Sequence, residues 1–239
     1  MSIEEKLITI AENQEKVFDA GYEKGKAEID HYYDFFWDNY QDGGERIQYA
    51  NAFAGLGWTY ATLYPKYDIK PTGTSYNMFM YCGFEGDLAQ RLEDCGVVLD
   101  TSKAPILYSM FANAGKITRV PRIDVSSSPN SNGLFSYCGK LETIDTLVVN
   151  KKTTNLSNAF VNCGALTNIT IEGEIATNVD LRFSPLLSQD SITSILDALS
   201  KTATGQTITL SKTAVENAFD TTTWKSITDG LPNWTFTLI

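Results

Sequence analysis

The chain has one histidine, His31, and four cysteines in 239 residues. No cysteine pair stands as C-x-x-C, so a zinc site has no ligand set to draw on. Four thiols in a chain of this length are no disulfide framework. Basic residues are scarce as well, 19 against 29 acidic, giving a formal charge of −10. A phosphate backbone and an anionic membrane both require a basic face, so neither nucleic acid nor membrane is an expected partner. No apolar run is long enough to span a bilayer. The opening "MSIEEKLITIAENQEK" has two early glutamates and no apolar h-region, which predicts a chain made in the cytoplasm without a secretory signal. G-x-S-x-G and P-loop motifs are missing too. An enzyme is therefore the least favoured reading, and no catalytic residue, cofactor or metal is expected. What the composition does supply is a core: 43% of residues are hydrophobic and 20% charged, which argues against wholesale disorder.

Residues 2–40 read as helical. Ser2 and Glu5 form a capping box. Ile3, Leu7, Ile10 and Val17 fall on a narrow a/d-like seam. So thin a seam does not stabilise a lone helix, and it predicts self-association. Gly21 and Gly25 weaken the helix further on. A second helix places Tyr33, Phe36, Trp37 and Tyr40 on one aromatic face, with Asp30, Asp34 and Asp38 on another. The acidic row reads as a solvated face rather than a cation site, and no motif gives His31 a nucleophile.

From residue 50 a repeat takes over. Phe53, Phe79, Phe111, Phe135, Phe160 and Phe183 are separated by 26, 32, 24, 25 and 23 residues. The long interval contains "GDLAQRLEDCG", in which Leu88, Leu92 and Cys95 have helical spacing and Gly96 is a C′ stop. An apolar residue stands four before several of the phenylalanines, at Leu107, Leu156 and Val179. A glycine follows four after each of these six phenylalanines but Phe183 and is expected to supply the φ of a tight turn. Irregular strands follow: Ile117, Val120, Ile123 and Val125; Leu141, Ile144, Leu147 and Val149; Leu166, Ile169, Ile171 and Ile175. One such unit cannot bury its apolar side, whereas stacked copies share a continuous core. Cys82, Cys138 and Cys163 occupy one repeat position and Ala114 fills it in the fourth copy. That position therefore wants a small apolar side chain, with a disulfide between adjacent copies as the alternative.

The period breaks after residue 185. "SQDSITSILDALS" is an amphipathic helix with Ser188 as N-cap, "QTITL" a strand, "SKTAVENAF" and "TWKSITDGL" two short helices, and "NWTFTLI" a last strand. The expected fold class is α+β: a leucine-rich-repeat-like solenoid of short stacked strands and turns over 46–185. An N-terminal helical segment (1–45) precedes it and an α+β cap (186–239) closes its open end.

Two stretches, "LDTSKAPILYSMFANAGKITRVPRIDV" and "LFSYCGKLETIDTLVV", resemble BspA-like leucine-rich repeats of bacteria. Those units carry an F-x-x-C-x-x-L-x-x-I core, often with an L-D-T-S…M-F lead-in. The resemblance covers about residues 50–185, and Ala114 departs from it by replacing the cysteine. The whole layout resembles proteins of phages and prophages of gut Firmicutes, in which a similar leader and a "FWDNYQ" helix precede such repeats. That likeness implies a tail-associated or receptor-binding role. The expected partners are a host-surface glycan or protein, other tail proteins, and further copies of the chain, a trimer favoured, through residues 1–40. The expected binding positions are Tyr81, Asn113, Tyr137 and Asn162, which share one repeat slot, and two equivalent strand pairs, Thr143 with Asn168 and Asp145 with Thr170. The competing reading is a purely structural tail component, in which these polar positions only solvate a scaffold.

Overall fold

The computed structural model describes residues 63, 65, 68–73, 75–153 and 155–239. The leader expected over 2–40, with its seam, His31 and the aspartate row, lies outside them, as do Phe53 and the oligomerisation expectation. The described chain is α+β, with four helices and two parallel sheets. No helix among the described residues is long and apolar enough to cross a membrane.

The first sheet is built from the repeat. Strand β1 (Gly86–Asp87) leads into helix α1 (Leu88–Asp94), which Asp87 caps through a hydrogen bond from the Gln90 N–H. Gly96, at φ 66°, terminates it. Strands β2 (Ile117–Val120) and β3 (Ile123–Asp124) both pair with β4 (Thr143–Val149), and β5 (Asn168–Gly173) pairs on the far side of β4. Between β2 and β3 stands Pro121, which has no N–H to give the ladder. Arg119 faces Thr143, and Thr143 faces Asn168. Those partners lie 24 and 25 residues apart, the same steps that separate Phe111, Phe135 and Phe160. Equivalent residues of successive repeats are thus neighbours in the sheet. The apolar strand positions face inward: Ile117, Val120, Ile123, Val125, Leu141, Ile144, Leu147, Val149, Leu166, Ile169 and Ile175 are buried, and Ile171 is half-buried.

Phenylalanine stacking forms the spine of the core. Phe79 stacks on Phe111 at 5.1 Å between ring centroids, Phe111 on Phe135 at 5.5 Å, and Phe135 on Phe160 at 6.0 Å. The interplanar angle opens from 3° to 13° to 25° along this column. Burying each ring stabilises by about 1.5–3 kcal/mol, and each aromatic pair adds ~0.5–1.5 kcal/mol.

Phe183 does not continue the column. It is 42% exposed, and Leu181 is buried in its place. The hydrogen bonds give the alignment. The Cys138, Cys163 and Ser184 N–H groups donate to the carbonyls of Phe135, Phe160 and Leu181, and those of Leu141, Leu166 and Leu187 donate to the carbonyls of Cys138, Cys163 and Ser184. Leu181 therefore fills the phenylalanine slot, Ser184 the cysteine slot, and Phe183 the slot of Tyr137 and Asn162. Val179 accordingly belongs to β6 (Val179–Leu181) rather than to a lead-in.

The turns also depart from expectation. None of Gly83, Gly115, Gly139 or Gly164 has a positive φ. The left-handed residues are instead the Tyr/Asn slot, with Tyr81, Asn113, Tyr137 and Asn162 at φ 55–61°, and a second slot four residues earlier, with Asn77, Ser109, Gly133 and Asn158 at φ 53–65°. Asparagine tolerates this region, while other side chains lose about 1–2 kcal/mol there. The sequence carries the αL requirement in its asparagines, not in the glycine four after each phenylalanine.

The cap follows the expected order. Helix α2 (Gln189–Asp197) is capped by Ser188. It lies where a sixth strand would pair with β5: its Ser191 and Ser194 hydroxyls accept from the Ile169 and Ile171 N–H groups at 2.9 and 2.8 Å. A second parallel sheet, β6–β7–β8, closes the chain, with β7 at Gln206–Leu210 and β8 at Trp234–Leu238. Helices α3 (Lys212–Ala218) and α4 (Thr221–Asp229) connect them, and the buried Trp234 donates its indole N–H to the Ser200 carbonyl at 2.9 Å.

Candidate functional site

The expected binding positions fall on two surfaces. The first is the outer face of the strands. Thr143 and Asn168 are register partners, as their repeat positions require. Asp145 and Thr170 lie in the bulge between Ile144 and Leu147, where β4 has one residue more than β5. Asn168 and Thr170 are exposed, whereas Thr143 and Asp145 are half-buried.

Asp145 is already engaged. Arg119 holds it through two hydrogen bonds, Nε to Oδ1 at 2.6 Å and Nη2 to Oδ2 at 3.0 Å, and reaches Asp87 at 3.3 Å on the other side. Paired with Asp145, the guanidinium keeps its proton more firmly than usual. Around this triad other charges cancel across the units. Lys140 and Lys116 flank Glu85, and Lys140 above all holds the Glu85 carboxyl below its usual range. Arg122 pairs with Glu172, and Lys151 with Glu174 at 3.8 Å. Sequence reading missed these ladders: only Asp87 and Arg119 are opposite charges in register on neighbouring strands, whereas Arg119 reaches Asp145 across an offset and Arg122 and Lys140 reach partners two repeats away. The strand face is thus largely self-satisfied.

The second surface is the corner row. The N–H of Tyr81 donates to the Ala112 carbonyl, that of Asn113 to Ser136, and that of Tyr137 to Val161. Each of these three slots is therefore tied directly to the next unit, and the slots from Tyr81 to Asn162 form one line. Tyr81 is 56% and Tyr137 53% exposed, Asn162 is exposed, and Asn113 half-buried. Phe183 extends the line at its C-terminal end, with its carbonyl lying over Gly164.

No known family, curated protein or solved structure matches the chain.

Beneath the row lie Cys82, Cys138 and Cys163, all free. The Cys138 thiol donates to the Phe111 carbonyl at 3.0 Å and the Cys163 thiol to the Phe135 carbonyl at 3.1 Å. Burial pushes the Cys82 thiol up to about 11 and the Cys163 thiol up to about 12, and it raises Cys138 strongly. These groups are packing elements, not nucleophiles. Among the described residues no group of three or more His, Cys, Asp or Glu could hold a metal ion. One void, about 10 Å³, lies inside the stack, where the column passes from Phe160 to Leu181. Its lining is wholly apolar, including Leu147, Ile169 and Ile195, so it stays dry. The surface with exposed groups in a built geometry is the corner row.

Proposed function

We propose that the chain is a non-catalytic recognition protein: a leucine-rich-repeat-like solenoid of the BspA-like kind that meets a glycan or protein on a host surface. The setting the resemblance implies is a phage or prophage tail, with residues 1–40 joining copies of the chain, a trimer favoured, to other tail proteins. The observation that carries this reading is the corner row. Tyr81 and Tyr137 are more than half exposed and held at a fixed backbone spacing by the hydrogen bonds between units. Large rings kept at the surface in a rigid array suit contact with a partner.

A specific observation favours a second reading, a structural tail component without its own ligand. The strand face pairs its charges internally, as a solvated scaffold does. The two readings separate on saturable binding of the labelled full chain to intact Gram-positive gut bacteria, compared with a chain lacking residues 1–45. Binding that survives the truncation supports recognition by the repeat. Absence of saturable binding in both, with only assembly lost on truncation, would favour the structural component.

A further inference from the structure

The corner row has a composition that alternates. Its slots read Tyr81, Asn113, Tyr137, Asn162 and Phe183, an aromatic ring in every second unit. Neighbouring units in a parallel sheet advance by about 4.8 Å, so successive rings stand roughly 10 Å apart along the stack. The chain neighbours of the row are uncharged, Met80 and Cys82, Ala112 and Ala114, Ser136 and Cys138, Val161 and Cys163, and the charges three or four residues on, Glu85, Lys116 and Lys140, pair with one another. At the last unit Arg182 is a neighbour, and Asp180 holds it at 2.9 and 2.8 Å. The ionic groups of the strand face are paired with one another, as described above. The row is therefore a neutral strip on a chain of net charge −10.

The tyrosines hold their slot against backbone preference. At φ 55° and 61°, Tyr81 and Tyr137 occupy the left-handed region, where Asn113 and Asn162 sit with less strain in the intervening units. A bulky residue kept in such a conformation, with its ring more than half exposed, points to a use for the ring outside the fold.

We infer that this row is a ledge for a neutral, extended β-linked polysaccharide, which rests on the recognition reading above and specifies its ligand. Such a chain advances by about one sheet step per sugar and turns over at each sugar, so every second sugar presents the same face. Laid along the stack, it sets alternate sugars on Tyr81, Tyr137 and Phe183. The rings offer their faces to the sugar C–H groups. The sugars between meet the amides of Asn113 and Asn162, which both donate and accept hydrogen bonds to hydroxyls. No single contact is strong. Affinity comes from several contacts on one polymer, so it depends on length.

The test uses the full chain and its Tyr81→Asn and Tyr137→Asn variants, singly and together. The fold already accepts asparagine at this slot, so the variants remove the rings without a new backbone demand. Calorimetric titration with cello- and chito-oligosaccharides, from disaccharide to hexasaccharide, should give affinity that climbs with length. Each variant should lower affinity for the longest oligosaccharides about tenfold, with a melting temperature equal to or above that of the parent. No binding to any of these sugars, or binding unchanged in the double variant, overturns the proposal. Intact-cell binding that persists in either case leaves the recognition reading standing. If protease treatment of the cells then abolishes it, the ligand is a protein.

Discussion

Among the described glycines, Gly173 is one at which a single methyl should do great damage. It closes β5 at φ 99°, outside the left-handed well that asparagine or tyrosine occupies in the corners. A Cβ added there would lie 1.9 Å from the Val149 carbonyl oxygen and 3.0 Å from its carbon. Both are backbone atoms of β4, which is held between β2/β3 and β5, so no side chain can swing aside. Backbone strain of ~1–3 kcal/mol and a forced backbone shift of ~1–3 kcal/mol combine to about 4 kcal/mol for Gly173→Ala. A domain of this size loses ~2–4 °C per kcal/mol, so its melting temperature should fall by roughly 10 °C. Gly139→Ala is the control. That glycine ends a corner, yet its φ is not positive and a Cβ there meets nothing within 4 Å, so the change should stay within about 0.5 kcal/mol. Thermal unfolding followed by far-ultraviolet circular dichroism measures both. Equal losses at the two positions, or a Gly173→Ala protein as stable as its parent, would refute the reasoning.

Other outcomes follow from the same geometry. Phe111→Ala removes a ring stacked on both sides and should destabilise by about 3–5 kcal/mol in urea titration; a loss below 1 kcal/mol would mean the column is not the spine of the core. Cys138→Ala copies Ala114 and forfeits one weak hydrogen bond to a carbonyl that still accepts from the Ala114 N–H at 2.9 Å, so its cost should be about 1 kcal/mol or less. The buried thiols also set an alkaline limit. Their folded values lie above the ordinary thiol value of 9.0, at about 11 for Cys82 and about 12 for Cys163. The unfolded chain therefore releases these protons first, and stability should be intact below pH 9 and decline from there towards pH 12. A triple Cys82→Ala, Cys138→Ala, Cys163→Ala protein that declines just as steeply would contradict this. Arg119 and Asp145 are partly exposed, so a double-mutant cycle with Arg119→Met and Asp145→Asn should give a coupling of about 1 kcal/mol or less, weaker in high salt.

Much of the layout was legible because the repeat writes the same physics several times. Phe79, Phe111, Phe135 and Phe160 announce a column, and the spacing between the last three fixes the register of the sheet. Helix α1, the Ser188 cap and the order of the cap elements follow from local signals that tertiary context does not override. Phe183 misled because residue type alone cannot separate a core ring from a surface ring. Only the hydrogen bonds of Ser184 and Leu187 reveal that the final unit is shifted by two residues. The glycines misled for a related reason. Glycine permits a positive φ without requiring it, whereas the recurring Asn in the αL slots was the more discriminating sign. Of the binding positions, the corner row could be found as a line of equivalent residues. That Asp145 is occupied depends on how far Arg119 reaches across units, which spacing along the chain does not encode.

The serines of α2 have a consequence for how a protein like this changes length. Ser191 and Ser194 stand three residues apart on the helix, and their hydroxyls meet N–H groups two residues apart on β5. A duplicated unit joined after β5 would displace that helix and strand both hydroxyls. A unit inserted between β2 and β5 would meet the same parallel step on either side. Copies are therefore gained or lost between β2 and β5 rather than after β5, and the C-terminal closure stays constant.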